Sequence, residues 1–280
     1  MKNYWIKTFR RLAAATVVAG SSMFYSAMCY ASAFDVATNL PYADGWQASD
    51  NGGTGFGPWS FNGTDATPAG TYQAISSTSP IGTSWTLATH ANTTGLANAG
   101  RAITGGLLPG QTFETVIDNP TGYHFFRGFD VMFTSGPDNN LGGNNTSALR
   151  ASVFNYYGST TWGIDDAGGN SNSGINQATV AAAGMKVDLT LTSTTTYSLT
   201  MTPLNGATPY TQAGTLNGAG LPITWVDYRL YHGTSIGAED PVNNFEISRM
   251  SITPEPSTLA LIGLGSAGLL CFRRRDSDPT

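Results

Sequence analysis

A two-sheet, antiparallel, all-β sandwich is the fold class that the central part of this sequence predicts. Three observations lead there. Short runs with alternating apolar residues, rich in Val, Ile, Thr, Tyr and Phe, recur along the chain. Turn clusters such as "DNGGTG", "TSGPDNNLGGNN" and "DDAGGNSNSG" separate them. Glycine accounts for 34 of 280 residues while only 11% of residues are charged, a balance that suits an exported β-rich protein better than a cytosolic enzyme.

Taken in order, the elements support this class. "AFDVAT" opens the domain and "NNFEISRMSIT" closes it, and the two are expected to lie together. "TFETVID" places Phe113, Thr115 and Ile117 on one face, and "GFDVMF" and "LRASVFNYYG" follow as further strands. "NQATVAAAGMK" is the one stretch expected to hold a short helix. "KVDLTLTS" and "TYSLTMT" alternate cleanly and read as a hairpin with one wet face. "ITWVDYRLYH" is apolar or aromatic on both parities and reads as a central strand, with Trp225 in the core beside Trp59. In "NNFEISRMSIT", Phe245 and Ile247 share one parity while Met250 and Ile252 share the other; a β-bulge near Ser248 and Arg249 would return all four to the core.

The chain divides into three. Residues 1–33 read as a secretory signal: a basic start, the apolar run "LAAATVVAGSSMF", and small residues Ala31 and Ala33 set for signal-peptidase cleavage before Phe34. Residues 34–253 form the sandwich, with six basic against fifteen acidic residues. A domain of that charge repels phosphate backbones, which excludes nucleic acid as a partner. Cys29 and Cys271 both lie in the terminal segments, so the sandwich has no internal disulfide and depends on apolar burial and its hydrogen-bond ladders. Residues 254–280 hold Pro254-Glu255-Pro256, an uncharged run at 257–272, and Arg273, Arg274 and Arg275. As a helix the run spans ~24 Å, slightly under a hydrocarbon core of ~30 Å. The arginines would stay cytoplasmic and the domain would face outward, anchored in the membrane until processing.

This tail resembles the PEP-CTERM sorting signal, in which Pro-Glu-Pro, a hydrophobic helix and a basic cluster occur in that order. The resemblance implies recognition by an exosortase, removal of the tail, and delivery to the cell surface or extracellular matrix. The "DSDPT" extension after the arginines departs from many members. The central region, through "GWQASDNGGTGFGPWSFNG", "GRAITGGLLPGQTFETVID" and "NNFEISRMSIT", resembles uncharacterised members of the same group. That resemblance implies a jelly-roll, concanavalin-like sandwich.

For chemistry, the sequence offers no catalytic residues. The Glu-x-Asp-x-x-Glu motif of laminarinase-like sandwiches is absent, as are a Gly-x-Ser-x-Gly elbow and a His-Glu-x-x-His zinc motif. The expectation is a non-enzymatic protein with a structural or interaction role linked to exopolysaccharide or biofilm, with a lectin-like carbohydrate-binding module as the alternative and a glycoside hydrolase third. Trp162, beside a polar loop, is the exposed aromatic expected to stack on sugar, with Tyr156, Tyr157 and Trp85. Two oxygen-rich loops, one with Asp138 and Asn140 and one with Asp165 and Asp166, are candidates for Ca²⁺; ordinary turn chemistry is the favoured explanation of both.

Overall fold

The computed structural model describes residues 33–63, 71–89, 95–120, 127–137, 148–156, 158–218, 220–232 and 243–254. Residues 1–32 of the expected signal peptide (1–33), and all of the sorting tail after Pro254, lie outside the described residues. Among the described residues, no helix is long and apolar enough to cross a membrane.

Residues 33–253 form one compact unit. Its strands are β1 (Ala33–Val36), β2 (Ser60–Gly63), β3 (Thr71–Ser76), β4 (Ser84–Thr89), β5 (Gly95–Leu107), β6 (Gln111–Asp118), β7 (Arg127–Thr134), β8 (Leu149–Tyr156), β9 (Thr161–Asp166), β10 (Gly169–Asn176), β11 (Met185–Leu191), β12 (Thr196–Pro203), β13 (Tyr210–Thr215), β14 (Ile223–His232) and β15 (Asn243–Pro254). One helix, α1 (Gln177–Ala183), joins β10 to β11. The side chain of Asn176 caps it by accepting from the Ala178 amide at 2.8 Å. Gly184 ends it at φ 83°, a conformation that costs glycine little.

The strands form two sheets. The eight-stranded sheet runs β13-β12-β11-β6-β15-β4-β3, with β1 also paired to β15, and the seven-stranded sheet runs β10-β9-β8-β7-β14-β5-β2. The chain crosses between sheets at β1–β2, β2–β3, β4–β5, β5–β6, β6–β7, β10–β11, β13–β14 and β14–β15, which is the wrapping of a jelly roll. The sequence-predicted hairpin is β11–β12, with Leu189 opposite Leu199 and the expected in-out alternation. The expected central strand is β14, between β7 and β5.

The core lies between the sheets. Phe113, Ile117, Val187, Leu199, Phe245 and Ile247 face Phe129, Val131, Phe133, Trp162, Val226 and Tyr228. Each such large side chain contributes roughly 1.5–3 kcal/mol by leaving water. At one end, Tyr42, Trp46, Trp59 and Trp85 pack mostly edge to face; ring centroids are 5.2 Å apart for Tyr42–Trp85 and 4.9 Å for Trp46–Trp59.

β15 changes its buried parity midway. Phe245 and Ile247 are buried, and so are Met250 and Ile252. The change falls where β15 passes from pairing with β4, ending at Ile247↔Trp85, to pairing with β1, beginning at Arg249↔Val36. A buried ion pair pins β1 there. Asp35 takes donors from Arg101 Nη1 and Tyr42 Oη, from Asn39 Nδ2 at 2.7 Å and from the Val36 amide at 2.9 Å. Arg101 lies on β5 in the other sheet, so this contact joins the layers.

Candidate functional site

The outer face of the seven-stranded sheet is where aromatic and charged side chains meet. On β14, Val226, Tyr228 and Leu230 point into the core, so the intervening Trp225, Asp227, Arg229 and Tyr231 share the outer face. By the same alternation β7 offers Asp130, Met132 and Thr134, and β8 offers Ser152, Phe154 and Tyr156. The register fixes the neighbours: Arg229 lies opposite Asp130, Asp227 opposite Met132, and Asp130 opposite Phe154.

The aromatics lie over glycines. A Cβ on Gly100 would meet Asp227 Oδ1 at 2.1 Å and Trp225 Nε1 at 2.4 Å. One on Gly128 would meet the Tyr156 ring at 2.8 Å, and one on Gly163 the Phe154 ring at 2.9 Å. Glycine on the neighbouring strand therefore lets each ring lie close to the sheet. Phe154 and Tyr156 stack with centroids 4.6 Å apart at 24°. Trp225, Phe154 and Tyr156 remain half-buried, with surface still open to solvent.

The polar groups are held firmly. Trp225 Nε1 donates to Asp227 Oδ1 at 2.9 Å, and Thr134 Oγ1 donates to Asp227 Oδ2 at 3.3 Å. Tyr156 Oη donates to Asp130 Oδ2. Burial pushes the Asp130 carboxyl up to about 6, against the lowering influence of Arg229, Tyr156 and Ser152. Asp130 and Asp227 are diagonal neighbours on adjacent strands, roughly 7–8 Å apart.

Several sequence-predicted site residues lie elsewhere. Trp162, expected to be exposed, is fully buried. It shares its parity on β9 with core residue Ile164 and stacks near Phe129, with centroids 6.2 Å apart. Trp85 is also fully buried, within the aromatic cluster. Trp225, expected in the core, is instead on the outer face. Of the predicted sugar contacts, Tyr156 is at this face; the side chain of Tyr157 lies outside the described residues, as do Asp138 and Asn140.

Asp165 and Asp166 do not form a metal loop. They end β9 in a tight hairpin, with Asp166 opposite Gly169, and as consecutive strand residues they point to opposite faces. Asp166 faces inward and accepts from Tyr197 Oη at 2.7 Å and from the Gly168 amide at 2.7 Å, tying the two sheets. The Asp165 carboxyl is raised by burial and by the charge of Asp166. Among the described residues, no group of three or more His, Cys, Asp or Glu side chains is arranged to hold a metal. Ala33 and Phe34, which flank the expected signal-peptidase bond, are both in β1; Ala31 lies outside the described residues. Pro254 is the last residue of β15, whereas Glu255, Pro256 and Arg273, Arg274 and Arg275 lie outside the described residues.

The sequence carries a signal for this outer face. Asp227 and Arg229 share the parity of Trp225, and two charges on one parity mark that face as the outward one.

With β15 ending at Pro254, the next residues decide how the chain is handled. Residues 253–275 are a PEP-CTERM protein-sorting motif. The motif marks an exported protein that an exosortase processes, carrying a membrane-anchored sorting signal. No curated protein matches the chain in sequence. Among solved structures, the sandwich is similar to a Bacteroides ovatus family 16 glycoside hydrolase from a mixed-linkage glucan locus, at 9% identity and TM-score 0.45, covering 69% of this chain and 94% of that one. It is similar to lectin I-B4 of Griffonia simplicifolia at 11% identity and TM-score 0.41, covering 70% and 92%. It is also similar to the Endo-D glycoside hydrolase domain of Streptococcus pneumoniae R6, at 10% identity and TM-score 0.36, covering 70% of this chain but only 21% of that one. All three scores are low, and the sandwich stands on the strand pairing itself.

Proposed function

We propose that this chain is a surface or extracellular-matrix protein whose sandwich binds polysaccharide without cleaving it, in a structural or interaction role within exopolysaccharide or biofilm. The sorting motif supports export. The observation that carries the binding role is the outer face of the seven-stranded sheet. Sugar rings present one apolar face and a rim of hydroxyls. Trp225, Phe154 and Tyr156 supply flat apolar surface, and the buried Asp227 and Asp130 on the adjoining strands fix Trp225 and Tyr156 in place by hydrogen bonds.

The test is affinity electrophoresis of the purified protein through gels containing the producing organism's own polysaccharide. Wild type is expected to be retarded. Trp225→Ala, losing a stacking ring at ~1.4 kcal/mol, is expected to weaken retention about tenfold, while Leu40→Ala, at an exposed residue outside this face, leaves it unchanged. Absence of retardation for the wild type across the polysaccharide fractions would overturn the binding role.

One observation favours a second reading, glycan hydrolysis at the same face. Asp130 holds its proton to about pH 6, and Asp227 on the adjacent strand is a second carboxyl near it, the two-carboxyl pairing that glycoside hydrolysis uses. Release of new reducing ends by wild type but not by Asp130→Asn would establish that reading in place of simple binding.

A further inference from the structure

The opposite surface of the molecule, the outer face of the eight-stranded sheet, carries a second polar cluster that the glycan-binding reading does not use. Glu246 on β15 is almost fully buried, although residues 245 and 247 on either side fill the core and turn it outward. Thr86 lies directly opposite it on β4. Asp118 ends β6, the other strand flanking β15, and is also fully buried.

Their partners are neutral groups: hydroxyls and, for Asp118, the Asn119 backbone amide as well. Ser84 Oγ donates to Glu246 Oε2 at 3.1 Å, and Ser79 Oγ donates to Asp118 Oδ2 at 3.2 Å. The nearest cationic groups on this face are committed elsewhere: Lys186 Nζ is 2.6 Å from Asp188, and Arg249 Nη2 is 2.8 Å from Glu114. Two buried carboxylates thus lie on adjacent strands with no ion pair to either among the described residues, an arrangement that is costly unless something neutralises it.

A second observation points to what that is. Asp118 Oδ1, Thr86 Oγ1 and both polar atoms of the Asn119 side chain, Oδ1 and Nδ2, are buried with no hydrogen-bond partner. Thr86 is 3% exposed, and Asp118 and Asn119 are not exposed at all. Buried polar atoms without partners are uncommon, and such a set on neighbouring positions calls for a missing group. A shared proton would satisfy a single carboxylate oxygen and leave the hydroxyl and the amide oxygen as they are.

We propose that Asp118 and Glu246 bind one calcium ion, with Thr86, Asn119, Ser79 and Ser84 as neutral oxygen donors. The donor chemistry is that of a hard cation: oxygen only, two negative charges against two positive, and more oxygens than the six that magnesium takes in its tight octahedron, for which calcium's looser shell is better suited. An exported protein meets calcium at the concentrations that weak extracellular sites need, about 10⁻⁴–10⁻³ M. The ion would tie β15 to both of its flanking strands on the side away from the core. This inference does not depend on glycan binding.

The test is thermal unfolding of the purified full-length protein after chelation, with CaCl₂ or MgCl₂ then restored. Calcium is expected to raise the wild-type midpoint by several degrees, on the order of 5 °C, with magnesium giving much less. Asp118→Asn and Glu246→Gln are each expected to abolish the calcium shift, and in chelator Asp118→Asn should melt no lower than wild type because it removes a buried like-charge contact. Terbium luminescence needs no variant: Trp85, adjacent to Thr86 in β4, should sensitise bound Tb³⁺, and CaCl₂ should quench that emission by displacement. A wild-type midpoint indifferent to calcium, or a calcium shift retained in both variants, overturns the proposal.

Discussion

Removing the Asp35 carboxylate is the perturbation whose cost the structure defines best. Asp35 and Arg101 form an ion pair with no solvent exposure on either side chain. Arg101 also donates through Nε to the Gly57 carbonyl at 2.9 Å and through Nη2 to Asn51 Oδ1 at 2.6 Å. Its guanidinium lies 5.1 Å from the Phe56 ring centroid and 4.8 Å from that of Trp59. Asp35→Asn keeps the shape but strands a buried cation, which costs about 3–5 kcal/mol. Asp35→Ala also strips the buried Tyr42 hydroxyl of its acceptor, adding about 1–3 kcal/mol, whereas the half-buried Asn39 keeps the Gly52 carbonyl. Against a total stability of roughly 5–15 kcal/mol, the alanine variant should be close to unfolding. For Asp35→Asn, 2–4 °C per kcal/mol in a domain of this size gives a melting-point drop of ~6–20 °C. Unfolding in urea, followed by fluorescence of the Trp46, Trp59 and Trp85 cluster, measures it. A double variant, Asp35→Leu with Arg101→Met, should recover most of the loss because it leaves no unpaired charge. A drop of under about 1 kcal/mol for Asp35→Asn would refute this reasoning and show that β1 detaches rather than transmitting its loss to the fold.

Three further outcomes follow from the same structure. In chelator, stability should fall as pH rises from about 4 to 7: the folded state holds protons on Asp118 to about 7 and on Asp130 to about 6, so their contribution is complete below the unfolded value near 3.8 and lost as pH passes the folded ones. Asp118→Asn should flatten that slope, as chemical unfolding at a series of pH values will show. Trp162→Ala should cost about 3–5 kcal/mol as a cavity in the core, with no loss of glycan affinity in protein that remains folded, measured by paired melting and gel retardation. Replacing Pro254, Glu255 and Pro256 with alanine should leave the tail uncleaved, seen as a larger, membrane-bound product on immunoblots of fractionated cells; unchanged size and location would count against exosortase handling.

Much of the architecture was legible because period-2 patterning constrains strands so tightly. The alternation in "KVDLTLTS" and "TYSLTMT" defined β11 and β12, the parity change in β15 anticipated where its pairing partner changes, and "NQATVAAAGMK", with Asn before and Gly after, holds α1. The site was harder to read. Trp162 stands among polar residues in "STTWGIDD", yet burial follows parity with Ile164 and not the polarity of sequence neighbours. Trp225 lies in a run that looks apolar on both parities until Asp227 and Arg229 are counted together. Asp118 and Glu246 are brought together only by the order of β6 and β15 in the sheet, which no local pattern encodes.

The pairing of β1 with β15 also has a mechanical consequence. Ala33 lies opposite Ile252, so the two ends of the sandwich leave the same end of one antiparallel ladder. A load gripping both ends would peel β1 away one hydrogen-bonded pair at a time, the weakest way to pull a strand. A load entering through Pro254 alone runs along the axis of β15. It meets β6 on one flank and β4 followed by β1 on the other, so many ladder bonds share the force at once. The strand leading to the sorting motif is thus the one best placed to resist tension along the chain.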